Sequence, residues 1–334
     1  MAESDRNEIY LSSSPHILTP IATRHIMLVV VLTLLPIAVY GVYLYGMPAL
    51  VQILTAVISC VAFESLFRFI MKKDIRAGDF SAVITGLLLS MTLPPAIPVW
   101  MTITGSFFSI IIAKEFFGGL GANVFNPALS GRAFMFVSFS AAMSKWIAPR
   151  TMDAVSSATM LGRMTNPEGS VLSISEIVQN SGFDSKADLY WRYFTGERSG
   201  CIGESAIILI LIAFFVLLVT KVIDWRAPVA MVATAVLVSW IAGYDPLLVL
   251  LSGGLLFGAV FMTTDYTTSP VTPWGRILFG AGCGLITAFI RIFGGYPEGV
   301  MFSILIMNSL VPFLNRIIPR KYGWQPGKKE QAAK

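Results

Sequence analysis

A run of small and hydroxyl-bearing residues between Asp153 and Gly162 is the stretch of this sequence best suited to chemistry. The residues from Ser156 to Thr159 are all small, so the hydroxyl of Thr159 is sterically open and another protein could reach and modify it. A second interpretation is a helix N-cap, in which Ser156 or Ser157 accepts hydrogen bonds from the first N–H groups of a short helix. The local pattern alone favours the cap.

The rest of the chain has the composition of an integral membrane protein. Hydrophobic residues make up 55% of the 334 residues and charged residues 13%, and the mean hydropathy is +0.72. An average soluble domain carries about 25% charged residues. Thr159 therefore lies in the one long polar segment, residues 148–203, of an otherwise apolar chain, and membrane helices must position it.

Ten segments approach the length of about 20 apolar residues that a membrane helix needs. The third is short and ends at Leu93-Pro94-Pro95, which indicates a broken or half-crossing helix surrounded by protein. The predicted fold class is all-α: a polytopic membrane protein with about ten transmembrane helices. The predicted spans are His25–Gly46, Pro48–Ile70, Phe80–Leu93, Val99–Phe117, Pro127–Ile147, Glu204–Val222, Pro228–Gly243, Leu247–Met262, Ile277–Phe293 and Gly299–Ile317.

The placement of basic residues predicts the orientation. Three basic groups fall on one side of the membrane, and the positive-inside rule makes that side cytoplasmic. This topology accounts for the net charge of +5, so no basic face remains for a nucleic acid. The predicted regions are a cytoplasmic segment 1–24, a membrane half 25–147, an extracytoplasmic loop 148–203, a membrane half 204–317 and a basic cytoplasmic tail 318–334. The basic groups are Lys72, Lys73 and Arg76; Lys221 and Arg226; and Arg316, Arg320, Lys321, Lys328 and Lys329.

The two hydrophobic halves contain a weak internal repeat. Phe117-Gly118-Gly119 recurs as Phe293-Gly294-Gly295, and at the same offset Thr92 and Pro94 match Thr268 and Pro270. Five spans per half would invert the second half in the membrane, as in many transporters. The repeat therefore predicts two inverted five-helix repeats whose breaks meet near the midplane.

Charged residues inside apolar spans are expensive and often functional. Glu64 and Arg68 stand four apart on one helical face and are interpreted as an ion pair near a helix end at the surface. No single charged residue can be assigned as an ion ligand from the sequence. The three cysteines are scattered without a CxxC motif, and the two histidines lie far from them, so no metal site is predicted. The other charged candidates are Lys114, Glu115, Arg132, Asp265 and Arg291.

The segment around Thr159 resembles the flavinylation motif of the RnfD/NqrB family of redox-driven ion pumps. The matching residues are Asp153, Ser156, Ala158, Thr159 and Leu161, and the resemblance covers nearly the whole chain, including Gly118-Gly119 through Asn126-Pro127. It implies that a flavin transferase, using FAD, attaches FMN to Thr159 through a phosphoester bond. Ala154 and Ser157 stand where the family often has Gly, and both replacements are small.

The resemblance also implies a function. The chain would be a membrane subunit that relays electrons through the covalent FMN and couples this to Na⁺ or H⁺ transport in the bacterial inner membrane. The short N-terminal segment favours the Rnf branch, in which other membrane and peripheral subunits carry the ferredoxin, NAD and iron–sulfur chemistry. A second, non-covalent flavin such as riboflavin is a further expectation, and membrane lipid is an expected partner. Two alternatives stay open: a solute transporter or channel without a redox role, and the quinone-reducing NqrB-type subunit.

Overall fold

The computed structural model describes residues 23–74, 77–147, 149, 172, 174–181, 185–294 and 299–317. These residues form helices and turns, with no β-strand among them. The predicted flavinylation motif, with Asp153, Ser156, Ala158 and Thr159, lies outside the described residues.

Fourteen α-helices occupy the described part of the chain. Three of them, α1, α2 and α13, are long and apolar enough to cross a membrane, with 23, 24 and 21 residues. The count of ten membrane spans stays a prediction. The helices are α1 Thr23–Tyr45, α2 Met47–Ile70, α3 Ser81–Met91, α4 Val99–Phe107, α5 Pro127–Ser138, α6 Ser140–Met143, α7 Ile174–Ser181, α8 Lys186–Thr195, α9 Ile207–Val219, α10 Arg226–Ile241, α11 Pro246–Leu251, α12 Leu255–Phe257, α13 Pro273–Phe293 and α14 Val300–Leu314.

Each predicted span overlaps one or more of these helices, but several predicted spans are interrupted. The fourth continues from α4 as a π-helical segment, Phe108–Glu115. The fifth ends at Ser138 and resumes as α6, because the backbone at Phe139 leaves the helical region with φ −131°. The eighth is broken at Ser252–Gly254, where Gly253 has φ +66°, and it finishes as a second π-helical segment, Gly258–Met262. Hydropathy cannot locate such breaks, since the broken segments are as apolar as the intact ones.

Helix α3 is short, as its sequence predicts. Its eleven residues extend about 16 Å, against a hydrocarbon thickness of about 30 Å. Nine of the eleven are buried, so protein rather than lipid surrounds it. Gly86 makes this possible, because a Cβ there would lie 2.7 Å from the Cα of Val57 in α2.

The two halves place their irregular connections at corresponding points. Thr92–Pro98 joins the third and fourth predicted spans, at α3 and α4, and Thr263–Thr272 joins the eighth and ninth, at the second π segment and α13. The matched Thr and Pro pairs thus fall in equivalent connections. The two Phe-Gly-Gly segments differ in backbone conformation. Gly118 and Gly119 have φ +118° and +90°, whereas Gly294, which matches Gly118, has φ −83°.

The bundle has two ends, defined here by α1. At the end where α1 begins, one cavity is lined by Ile26 of α1 together with Lys114 and Tyr266. Tyr266 also lines a second cavity, which contains Lys221 and Val271, and the N–H of Val271 donates to Asn315 beside Arg316. Lys221 and Arg316 therefore place the second and third predicted basic groups at this end. Lys73 places the first group there as well, because it follows the C-terminal end of α2 just after Arg68.

Candidate functional site

Four charged side chains form a buried cluster, which we call the charged cluster: Glu64 and Arg68 of α2, and Lys114 and Glu115 of the first π-helical segment. Each is 5% exposed or less. Lys114 Nζ lies 3.1 Å from Glu64 Oε1, and Arg68 Nη2 lies 3.0 Å from Glu115 Oε1. Arg68 Nε also approaches Glu64 Oε1 at 3.5 Å, so two carboxylates and two cations balance in charge.

The predicted pair of Glu64 and Arg68 is confirmed, but its predicted place at an exposed helix end is wrong. The pair is buried because the π-helical segment packs against α2 and supplies Lys114 and Glu115. Lys114 and Glu115 are the last two residues of this segment, and each contacts one of the two charged residues of α2. The packing of the π-helical segment on α2 therefore completes the cluster.

The charged cluster is tied to the start of α3. Lys114 Nζ donates to Ser81 Oγ at 2.7 Å, and Ser81 Oγ donates to Asp79 Oδ1 at 2.7 Å. One oxygen of each glutamate, Oε2 of Glu64 and of Glu115, is buried without a hydrogen-bond partner within the described structure. A carboxylate oxygen buried in this way has remaining acceptor capacity for a proton, a water molecule or a cation.

A cavity opens next to the charged cluster, between α1, α3, the connection 116–126 before α5 and the connection Thr263–Thr272. Its polar lining includes Lys114, Asn123, Asn126 and Thr267, and its apolar lining comes mainly from α1, α3 and the second π segment. Asn123 Nδ2 donates to Thr267 Oγ1 at 2.9 Å, which links the two halves of the chain across the cavity. Such a lining, mostly apolar with a few fixed polar groups, is typical of small-molecule sites.

The position of Asn126 in the cavity lining is fixed by its own helix. It is the N-cap of α5, with Oδ1 accepting from the N–H of Leu129 at 3.2 Å and Pro127 at the first helical position. Asn308 of α14 then joins the halves: with its amide oriented to satisfy its neighbours, it donates to the carbonyl of Thr268 at 3.0 Å and accepts from the N–H of Asn126 at 3.2 Å. Asp265 holds the second connection by accepting from Thr268 Oγ1 at 3.0 Å.

The end of the bundle where α1 finishes carries a second polar site, around Arg198 and Glu204. Both side chains are buried. Glu204 lines a small cavity with Thr92, Arg132 and Gly254, and its Oε1 has no hydrogen-bond partner within the described structure. Like the glutamates of the charged cluster, Glu204 is a buried carboxylate with unused acceptor capacity.

Arginines stabilise the interrupted helix at this end. A break in a membrane helix leaves carbonyl groups without partners, and each one is costly in a dry environment. Arg198 Nη2 donates to the carbonyl of Glu204 at 2.7 Å and to that of Gly253 at 3.4 Å. Arg291 of α13 donates to the carbonyl of Ser252 at 3.4 Å. These guanidinium groups replace the missing helical donors at Ser252 and Gly253.

Both flanks of the polar segment 148–203 lie at this same end. On the N-terminal side, Phe139 packs edge-on against Trp100 at the start of α4. On the C-terminal side, the Tyr45 hydroxyl at the end of α1 donates to the carbonyl of Arg198 at 3.0 Å, and the N–H of Ile202 donates to the carbonyl of Leu93. The segment that contains Thr159 thus leaves and rejoins the bundle at the end opposite the basic groups.

The sequence identified some of these residues and missed others. Glu64, Arg68, Lys114 and Glu115 come together as one cluster, whereas Arg132, Asp265 and Arg291 lie in three different environments. Sequence reasoning missed the roles of Asn123, Asn126, Ser81 and Glu204. A usable signal existed only for Asn126, since Asn before Pro is a frequent helix start; the others depend on contacts between distant segments.

Comparison with known proteins gives one consistent result. The model of the NQR2, RnfD, RnfE family matches residues 10–323. The chain is 41% identical to the D subunit of the proton-translocating ferredoxin:NAD(+) oxidoreductase complex of Clostridium ljungdahlii, over 96% of this chain and 98% of the relative. It is 40% identical to the D subunit of the Na(+)-translocating ferredoxin:NAD(+) oxidoreductase complex of Acetobacterium woodii, over 98% of this chain and 100% of the relative.

A more distant relative is similar over most of its length. The D subunit of the ion-translocating oxidoreductase complex of Stutzerimonas stutzeri is 36% identical, over 89% of this chain and 91% of its own length. The resemblance inferred from the motif around Thr159 is thereby confirmed for the chain as a whole. With a family match over almost all of its length and relatives well above 30% identity, this chain is a membrane protein that belongs to the NQR2, RnfD, RnfE family.

Proposed function

We propose that this chain is the membrane subunit of an Rnf-type ion-translocating oxidoreductase complex, in which FMN bound covalently to Thr159 relays electrons. The observation that carries the proposal is the motif of Asp153, Ser156, Ala158, Thr159 and Leu161 in a chain whose similar relatives are named as the D subunits of ferredoxin:NAD(+) oxidoreductase complexes. These names favour the Rnf-type assignment over the quinone-reducing subunit and over a transporter without a redox role.

The transported ion is Na⁺ or H⁺. Two relatives of almost equal similarity, at 41% and 40% identity, are named for different ions, one for protons and one for Na⁺. Overall similarity therefore does not select between the two ions for this chain.

We place Thr159 on the extracytoplasmic side of the bacterial inner membrane, with the N-terminus in the cytoplasm and ten spans in two inverted repeats. Two observations support this orientation. The described members of the three predicted basic groups lie at the end where α1 begins, as the positive-inside rule requires of a cytoplasmic end. Both flanks of the segment 148–203 lie at the opposite end, beside Leu93 and Arg198.

The residues of this chain would make the Thr159 hydroxyl accessible for flavin attachment and would hold the attached flavin near the bundle. FMN supplies a reversible electron carrier when bound. Small side chains at Ala158 and Ser157 leave the Thr159 hydroxyl open to a flavin transferase, and the segment is attached to the bundle at both ends. Ferredoxin and NAD would react on other membrane and peripheral subunits.

A second, non-covalent flavin such as riboflavin is part of the proposal, and the cavity between Asn123 and Ile26 is where the described residues suit it. The lining combines amide and hydroxyl groups with aliphatic side chains, which suits a ring that is polar at its edge and apolar on its faces. The lining has one lysine, Lys114, already bonded to Glu64 and Ser81, so it suits an uncharged flavin better than a phosphorylated one.

The test is a denaturing gel of the purified chain viewed under ultraviolet light, since only covalently bound flavin survives denaturation. Thr159→Ala should abolish the fluorescence while the protein remains in the membrane. Thr165→Ala is the matched control, a nearby threonine in the same segment, and should keep the signal. Fluorescence that persists in Thr159→Ala would show that the attachment site lies elsewhere.

A further inference from the structure

A cavity of about 500 Å³ lies between the end of α9 and the beginnings of α10 and α13. It is separate from the charged cluster and from the segment that contains Thr159. Its lining includes Lys221 and Arg276, together with Asp224 and Tyr266, and Arg226 lies beside it in contact with Asp224. The positive-inside rule accounts for the side on which Lys221 and Arg226 lie, but not for their position with Arg276 around one cavity.

The site carries an excess of positive charge. Asp224 Oδ2 lies 2.7 Å from Nη1 of both Arg226 and Arg276, so one carboxylate serves two guanidinium groups. Burial acts to raise the pKa of Asp224, but the hydrogen bonds and charges of these two arginines lower it below its usual value, so Asp224 is ionised at neutral pH. Asp224 is the one carboxylate in the described lining, and Lys221 adds a third cation, which leaves a net charge of about +2.

The guanidinium groups retain donors for a ligand. An arginine has five N–H donors. Among the described contacts, Arg226 uses Nη1 toward Asp224, and Arg276 uses Nη1 toward Asp224 and Nε toward the carbonyl of Pro270. The helices α10 and α13 also begin here, and the positive ends of their dipoles favour an anion.

The surroundings of the cavity belong to a membrane interface. Trp225 in the lining and Trp274 at the start of α13 are 53% and 58% exposed, and Val219 at the end of α9 is 64% exposed. Tryptophan at helix ends, next to exposed apolar residues, is typical of the level of the lipid headgroups. A ligand held at this level by its anionic group would have apolar surface beside it for acyl chains.

We propose that this cavity binds the phosphate headgroup of an anionic phospholipid. The phosphate oxygens accept hydrogen bonds from Lys221, Arg226 and Arg276, and the acyl chains lie along the exposed apolar surface of α9. The lipid relieves the repulsion among the three cations that Asp224 alone does not balance. This inference does not depend on flavin at Thr159.

The test measures lipid binding to the full-length chain, purified within its membrane complex, by native mass spectrometry with added phosphatidylglycerol or phosphatidylcholine. The probe variant is Lys221→Asn, because Lys221 has φ +56° and asparagine tolerates this conformation. The matched control is Lys72→Asn, an exposed lysine with φ +54° at the same end of the bundle. A basic residue near a lipid surface contributes enough that Lys221→Asn should weaken phosphatidylglycerol binding about fivefold.

The expected pattern is weakened phosphatidylglycerol binding in Lys221→Asn and in a second variant, Arg226→Gln, with no change in Lys72→Asn and little phosphatidylcholine bound to any form. Three results would overturn the proposal. One is equal binding in Lys221→Asn and Lys72→Asn. Another is displacement of the lipid by inorganic phosphate at the lipid's own concentration, which would show that the acyl chains add no affinity and would make this a site for a free anion. The third is loss of a peripheral subunit from Lys221→Asn with lipid binding intact, which would make it a protein-docking surface.

Discussion

Replacing Lys114 with methionine removes the cation that balances Glu64 inside the charged cluster. Lys114 Nζ lies 3.1 Å from Glu64 Oε1, where Coulomb's law with an effective dielectric constant of about 20 gives an attraction of about 5 kcal/mol. Glu64 would keep only the longer contact of 3.5 Å with Arg68, and Ser81 would lose a charged partner. Removing one member of a buried ion pair typically costs about 3–5 kcal/mol, so Lys114→Met should destabilise the protein by a similar amount.

The assay is thermal unfolding in detergent, followed by tryptophan fluorescence, for Lys114→Met, Glu64→Gln and the double variant. The double variant should be more stable than Lys114→Met, because it leaves no unbalanced buried charge. Lys72→Met is the control: it removes an exposed lysine at the same end of the bundle and should change stability by about 0.5 kcal/mol or less. A Lys114→Met variant as stable as Lys72→Met would refute the reasoning, since the cluster would then be hydrated or already protonated.

Three further predictions follow from other sites. A cysteine at Ser185, which is exposed, should react with a membrane-impermeant thiol reagent in intact cells; labelling only after lysis would invert the orientation. Gly119→Ala should destabilise the protein more than Gly121→Ala, because both glycines have positive φ but only a Cβ at Gly119 meets Arg68, at 2.8 Å; equal melting temperatures would contradict this. Burial and the neighbouring Asp245 raise the pKa of Tyr190 to about 12. The stability that Tyr190 gives relative to Tyr190→Phe should therefore be complete below about pH 10 and vanish as the pH rises through about 12, as measured by thermal melts at each pH.

Much of the architecture could be predicted from hydropathy and proline alone. The apolar runs locate α1, α2 and α13 to within a few residues, and Leu93-Pro94-Pro95 predicts the short α3. The interruption at Ser252–Gly254 could not be predicted in this way, because its flanking residues are as apolar as those of an unbroken helix. The π-helical segments are also invisible to a hydropathy pattern, since they change the number of residues per turn rather than the composition.

For the candidate sites, contacts within one helix could be predicted from the sequence, and contacts between distant segments could not. The ion pair of Glu64 and Arg68 could be predicted because the two residues are four apart on one helix, and sequence spacing alone sets that distance. Its burial could not, since Lys114 and Glu115 approach from a helical element that lies about 50 residues later in the chain. The same reason hid the pairing of Asn123 with Thr267, which are 144 residues apart.

The arginines that satisfy the interrupted helix have a consequence for biosynthesis. Arg198 is synthesised 55 residues before Gly253, whose carbonyl it will bind, and Arg291 is 39 residues behind Ser252. With Leu247–Met262 as the proposed eighth span, α11 and α12 would enter the membrane before all their donors exist, while the chain is still emerging from the ribosome. An uninterrupted helix is the conformation that satisfies this segment on its own. We expect the break to form late, after α13 has inserted, so a nascent chain truncated before Arg291 should carry a straighter, more lipid-exposed helix than the finished protein.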